Sequence, residues 1–167
     1  WLRERSAWAR KLEQRDDPLA ELPMSTHEKF LSRQVVLVGY GRVGRRIAKA
    51  LAEQDIPFVV AEENRDLVEK LRAEGIAAVS GDAADPAVLI QAHIARARLL
   101  VIATPDTLNV RQMIAVARAL NPEIETVVRT HNEEEATLLE QEHAAGKVFL
   151  GEEELAQAMT RYVLMRA

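Results

Sequence analysis

From residue 34 onward the chain alternates short apolar runs with stretches in which apolar positions recur every three or four residues. QVVLV, over 34–38, is an unbroken apolar run ending at a glycine, the pattern of a strand buried on both faces of a parallel sheet. Val43, Ile47, Ala48 and Leu51 then share one helical face, predicting a helix over 42–54. A second strand is predicted over 57–61. Asn64 is placed to cap a helix carrying Leu67, Val68 and Leu71 inward and stopping at Gly75. A short third strand over 77–80 leads to Asp85-Pro86, a cap followed by proline at the first helical position, opening a helix to about residue 94. The same alternation predicts strands over 99–103, 125–129 and 147–150, and helices over 106–120, 133–142 and 152–165. Strands and helices in strict alternation form βαβ units, so the expected fold is a Rossmann-like, doubly wound, parallel six-stranded sheet.

Residues 1–33 break this pattern. Trp1, Leu2, Trp8 and Leu12 have roughly helical spacing among Arg3, Arg5, Arg10, Lys11 and Arg15, before Asp17-Pro18 and Leu22-Pro23 interrupt it. Tryptophan beside basic side chains suits the cytoplasmic side of a membrane interface, and it equally suits a solvated helix or linker. The chain begins at Trp1 and not at Met, and we expect it to be a piece of something longer. Expected organisation is therefore a linker or juxtamembrane segment over 1–33, a nucleotide-binding domain over 34–150 and a C-terminal helix over 151–167. In that helix Leu155, Ala158, Met159, Tyr162, Val163 and Leu164 make a wider apolar face than packing on one sheet needs, which predicts a homodimer contact.

Composition narrows the chemistry. With 48% hydrophobic and 29% charged residues in 167, the chain is a folded domain. A net charge of -4 offers no broad basic face, so no nucleic-acid partner is expected. Absence of cysteine removes disulfides, thiolate nucleophiles and Cys-ligated metals together. His27, His93, His131 and His143 include no i, i+4 metal pair. Neither a Walker lysine after Gly44 nor a Tyr-x-x-x-Lys pair at Tyr162 is found, and no second region remains to hold a substrate and a proton donor.

The chemistry that remains is nucleotide binding. Gly39-Tyr40-Gly41-Arg42-Val43-Gly44 reads G-x-G-x-x-G between the first strand and first helix, where the dinucleotide fingerprint belongs. Gly39 allows the tight turn, Gly41 lets pyrophosphate approach the backbone, and Gly44 permits close helix–strand packing. Glu62, with Glu63 beside it, falls about 20 residues later at the end of the second strand, where a carboxylate accepts the ribose hydroxyls. A 2′-phosphate would meet repulsion there, which Arg65 could partly offset. Asp82 and Ala83 end the third strand; Asp82 reaches the adenine amino group, shapes the pocket through its backbone, or caps a turn. Ala103 and Thr104 end the fourth strand. Arg129 ends the fifth, to pair with an anion or bridge to a carboxylate.

Residues VVLVGYGRVGRRIAKALAEQDIPFVVAEENRDLVEKLRAEGIAAVSGDAADPAVL, LLVIATPD and TVVRTHNEEEATLLEQEHAAGKVF resemble a TrkA-N domain, also called KTN or the N-terminal lobe of RCK. The resemblance is strongest to the tails of Kef-type monovalent cation:proton antiporter-2 proteins. It implies a regulatory domain at the cytoplasmic face of the plasma (inner) membrane that binds an adenine nucleotide, NAD/NADH or AMP/ATP. It further implies dimerisation, gating of potassium/proton movement through a membrane transporter part preceding it in the same chain, and no catalysis. Gly39, Tyr40, Gly41, Arg42, Val43 and Gly44 match the phosphate loop of that family, Glu62 the ribose acid (more often Asp), Asp82 and Ala83 the strand-three contact, and Ala103 and Thr104 the strand-four contact. Arg129 matches the arginine that glutathione-regulated members carry there. The competing expectation is a small NAD-dependent oxidoreductase fragment.

Overall fold

A computed structural model describes residues 17–104, 109–141 and 146–167. The helical spacing of Trp1, Leu2, Trp8 and Leu12, and the predicted start of a helix at Asp106, lie outside the described residues. Six strands, β1 (Val35–Val38), β2 (Phe58–Glu62), β3 (Ala78–Ser80), β4 (Leu99–Ile102), β5 (Glu125–Thr130) and β6 (Lys147–Leu150), form one sheet in the order β3-β2-β1-β4-β5-β6. Every pairing is parallel. The doubly wound fold is as expected.

Alternation along each strand sends neighbours to opposite faces. Val36, Val38, Val59 and Val79 pack one face against α3 (Pro86–Gln91), α4 (Val110–Leu120) and α5 (Glu133–Gln141), through Leu89, Ile114 and Leu139. Val35, Leu37, Val60 and Val101 pack the other against α1 (Arg42–Glu53) and α2 (Arg65–Ala73), through Ala48, Val68 and Leu71. That second face runs out at the β6 edge. Phe149, which pairs with Arg129 of β5, is 36% exposed there.

Local signals set several boundaries. Asn64 Oδ1 accepts from Leu67 N–H, Asp85 Oδ1 accepts from Ala87 N–H, and Gly75 takes φ +82° just after α2. The predicted helix from Asp85 to about residue 94 stops earlier, at Gln91. His93 adopts a left-handed conformation, and a 3-10 turn, Ile94–Arg96, follows. The cause lies on another element. Gln34, fully buried at the foot of β1, donates its amide Nε2 to both Ala92 O and His93 O, and so captures carbonyls the helix no longer uses. The last helix, α6 (Gly151–Arg166), follows β6 and buries no residue.

Residues 17–33 dock on the β3 side of the sheet. Asp17 caps a 3-10 turn, Pro18–Ala20, that packs on β3 and α2. Arg72 of α2 ties this segment down by donating to Pro18 O, Leu19 O and Glu21 O. Its guanidinium also reaches Ala78 O on β3, and burial lowers its pKa from the ordinary arginine value.

Candidate functional site

In a 3-2-1-4-5-6 sheet the strand order reverses between β1 and β4, and the crevice beyond their carboxyl ends is where such folds take ligands. A pocket of about 150 Å³ lies at this rim, lined by Val38, Gly39, Tyr40, Gly41, Ala61, Glu62, Glu63, Gly81, Ala83, Thr104 and Met113.

The glycine loop forms one wall. Gly39 has φ +90°, and a Cβ there would lie 3.0 Å from Thr104 N, so both the turn and the neighbouring strand demand glycine. A Cβ on Gly44 would collide with Gly39 O, because α1 leaves β1 at closest approach. Gly41 differs. Its φ of -85° suits any residue and a Cβ would meet nothing within 4 Å, so the protein leaves this volume open on the pocket side. Gly41 is also the N-cap of α1 with no side-chain cap, which leaves first-turn N–H groups and the positive dipole end facing outward.

Glu62 lines the same pocket, bonded to that loop. Its Oε1 accepts from Tyr40 N–H at 3.3 Å and its Oε2 from Asn64 N–H at 3.2 Å, so the carboxylate spans from the glycine loop to the start of α2. Two oxygens held by single backbone donors keep lone pairs for further donors such as ribose hydroxyls. Glu63 also lines the pocket.

The remaining predicted residues are placed unevenly. Ala83 and Thr104 line the pocket, as do Gly39, Tyr40, Gly41, Glu62 and Glu63, whereas Arg42, Val43, Gly44, Asp82, Ala103 and Arg129 do not. Asp82 Oδ1 accepts from Ala84 N–H at 2.8 Å, which is the turn-capping alternative. Arg129 donates to Ala103 O at 3.4 Å and thus stays on the rim without a carboxylate partner in that bond. Met113, from the helix after β4, lines the pocket although its position in the apolar stripe of α4 marks it as core; periodicity carries no signal for such a dual role.

Arg65 is engaged elsewhere. Its Nε and Nη2 donate to the two Asp17 oxygens at 2.8 and 2.7 Å, a bidentate pair across 48 residues of sequence. This bond holds the Asp17 carboxyl below its ordinary pKa. Among the described residues, no group of three or more His, Asp or Glu side chains could hold a metal ion.

A glycine-rich βα turn, a carboxylate bonded to it and this strand order accompany a match of residues 35–150 to the TrkA-N domain. The chain belongs to the TrkA-N domain family. Over 129 residues this TrkA-N chain is 38% identical to the putative cation/proton antiporter YbaL of Escherichia coli K12, covering 77% of the chain and 23% of that protein. It is 30% identical over 135 residues to the putative K(+) efflux antiporter KefB of Alkalimonas amylolytica, covering 81% of the chain and 20% of that protein. The chain thus spans less than a quarter of the length of these curated relatives. The crystal structure of the TrkA-N domain of E. coli inner membrane protein YbaL superposes with a TM-score of 0.74 at 37% identity, covering 78% of this chain and 96% of that one. Two more distant structures share the fold: the GsuK channel bound to NAD (TM-score 0.65, 22% identity, 86% of this chain and 25% of that one) and the Shewanella denitrificans Kef CTD in AMP-bound form (0.64, 20%, 79% and 80%).

Proposed function

We propose that this TrkA-N domain is the cytosolic regulatory module of a potassium (monovalent cation)/proton antiporter, and that an adenine nucleotide in the pocket at the β1–β2 rim gates the attached membrane part. One observation carries the ligand assignment: Gly41, with open space where a side chain would stand, and the Glu62 carboxylate, bonded to the neighbouring Tyr40 N–H, line one pocket, and we read them as a phosphate seat and a ribose seat. Phosphate would rest on the uncapped first turn of α1, and the ribose hydroxyls would donate to Glu62, with Glu63 beside it. NAD(H), AMP, ADP and ATP all carry this adenosine-phosphate unit, and the relatives solved with NAD or AMP motivate the same class here. The antiporter assignment is supported by the likeness to YbaL and KefB, and the reading includes a transporter part in the same chain and this domain at the cytoplasmic face of the membrane. In this reading the role is regulatory and not catalytic, in keeping with the antiporter relatives.

The active unit in this reading is a homodimer. Leu155, Met159, Tyr162, Val163, Leu164 and Met165 of α6 are all at least 58% exposed, and a 16-residue helix is marginal in water without a packing partner. Phe149, under the Lys147 ammonium, stands half-exposed on the sheet face above β5 and β6 and is the contact we assign to that helix from a second copy. Sedimentation at tens of micromolar should give a dimer that Met159→Glu converts to monomer; a monomeric parent chain refutes this part. Mass spectrometry of ligand released on denaturing the purified protein, followed by calorimetric titration with NADH and AMP, tests the nucleotide. Failure of both nucleotides to bind would overturn the ligand assignment.

A further inference from the structure

The bond between Asp17 and Arg65 joins two parts of the molecule with separate tasks. Arg65 opens α2 directly after Asn64, whose N–H holds Glu62 Oε2. It is the basic residue nearest in sequence to Glu62 and Glu63. An arginine at this point of a βαβ unit is the group that accommodates the 2′-phosphate of a phosphorylated dinucleotide. Asp17 lies 48 residues earlier, in the segment that precedes the matched domain, and both of its oxygens are taken by the Arg65 guanidinium. Its own position is fixed: Oδ1 also accepts from Leu19 N–H, and Arg72 holds the next turn through three carbonyls.

We propose that Asp17 is a positioning residue for ligand specificity, which occupies the Arg65 fork and so withholds from the ribose end of the pocket the cation that a 2′-phosphate requires. This rests on the nucleotide reading above and adds a second device to it. Glu62 repels a 2′-phosphate; Asp17 removes the group that would compensate. A bidentate carboxylate–guanidinium pair and a phosphate–guanidinium pair use the same donors, so the two are mutually exclusive. By linkage, a 2′-phosphorylated ligand that did capture Arg65 would release this anchor of the preceding segment.

The test is a titration of the 167-residue chain with NADH and with NADPH, read by nucleotide fluorescence, in the parent, Asp17→Asn, Arg65→Gln and the double variant. Asp17→Asn should raise the NADPH:NADH affinity ratio about tenfold, the scale of one charge-assisted contact. Arg65→Gln should leave the ratio at the parent value, and the double variant should return to it. Loosening of the segment alone would shift both nucleotides together and leave the ratio fixed, and Arg72 keeps the segment seated in every variant. An unchanged ratio in Asp17→Asn, or a raised ratio that persists in the double variant, overturns the proposal while NADH binding by the parent upholds the pocket. Absence of NADH binding by the parent overturns both.

Discussion

Replacing Gly41 by valine separates what the fold needs from what the ligand needs. The backbone at Gly41 sits at φ -85° and ψ -153°, a region open to residues with a side chain, and an added Cβ meets no protein atom within 4 Å. Valine is a poorer N-cap than glycine, and it also removes some freedom from the unfolded chain. These effects oppose each other, so the net stability change should stay within about 1 kcal/mol, or a shift in Tm of about 2–4 °C for a chain of this size. The ligand meets a different situation, because the new methyl groups occupy the space through which phosphate reaches the first N–H groups of α1. Each charge-assisted hydrogen bond to phosphate is worth roughly 1.5–3 kcal/mol. Loss of two therefore costs at least about 3 kcal/mol, which is more than a hundredfold in affinity at 1.4 kcal/mol per factor of ten. Calorimetry with NADH and AMP beside thermal unfolding of the same samples measures both quantities. A Gly41→Val protein that binds either nucleotide as tightly as the parent would show that phosphate does not sit on this loop.

Gly44→Ala should do the reverse in kind, since its Cβ runs into Gly39 O and α1 must move off β1; unfolding should show a loss of about 1–3 kcal/mol before any ligand is added. Gln34→Ala removes the donor to Ala92 O and one of the two donors to His93 O, which keeps Arg96 N–H, and leaves a void; chemical denaturation should report a loss of about 2–4 kcal/mol. The Asp17–Arg65 pair has a definite pH signature. Asp17 has a depressed pKa in the folded state, so its contribution is present above the unfolded value near 3.9 and is lost as pH falls through the folded value. The Tm gap between parent and Asp17→Asn should therefore exist at pH 7 and close below about pH 4; a gap that persists unchanged in acid would refute the pair as its source.

Most of the architecture was legible because its causes are local. Continuous apolar runs and period-3.6 patterns, the caps at Asn64 and Asp85 and the stop at Gly75 act within a few residues, and the glycines at 39 and 44 answer backbone requirements of a single turn. The strand order is another matter, since β4 follows the edge strand β3 in sequence yet pairs with β1. What tertiary structure alone decided involves partners far apart in the chain. Gln34 ends the α3 segment early across 58 residues by taking the Ala92 carbonyl, and a buried amide must find partners wherever packing puts them. Met113 belongs both to the core stripe and to the pocket wall. Arg65 reads in the sequence as a free cation beside two glutamates, and folding gives it to Asp17. Charge pairs carry no periodicity, and a side chain with several possible partners is assigned only when the chain has brought one of them within reach.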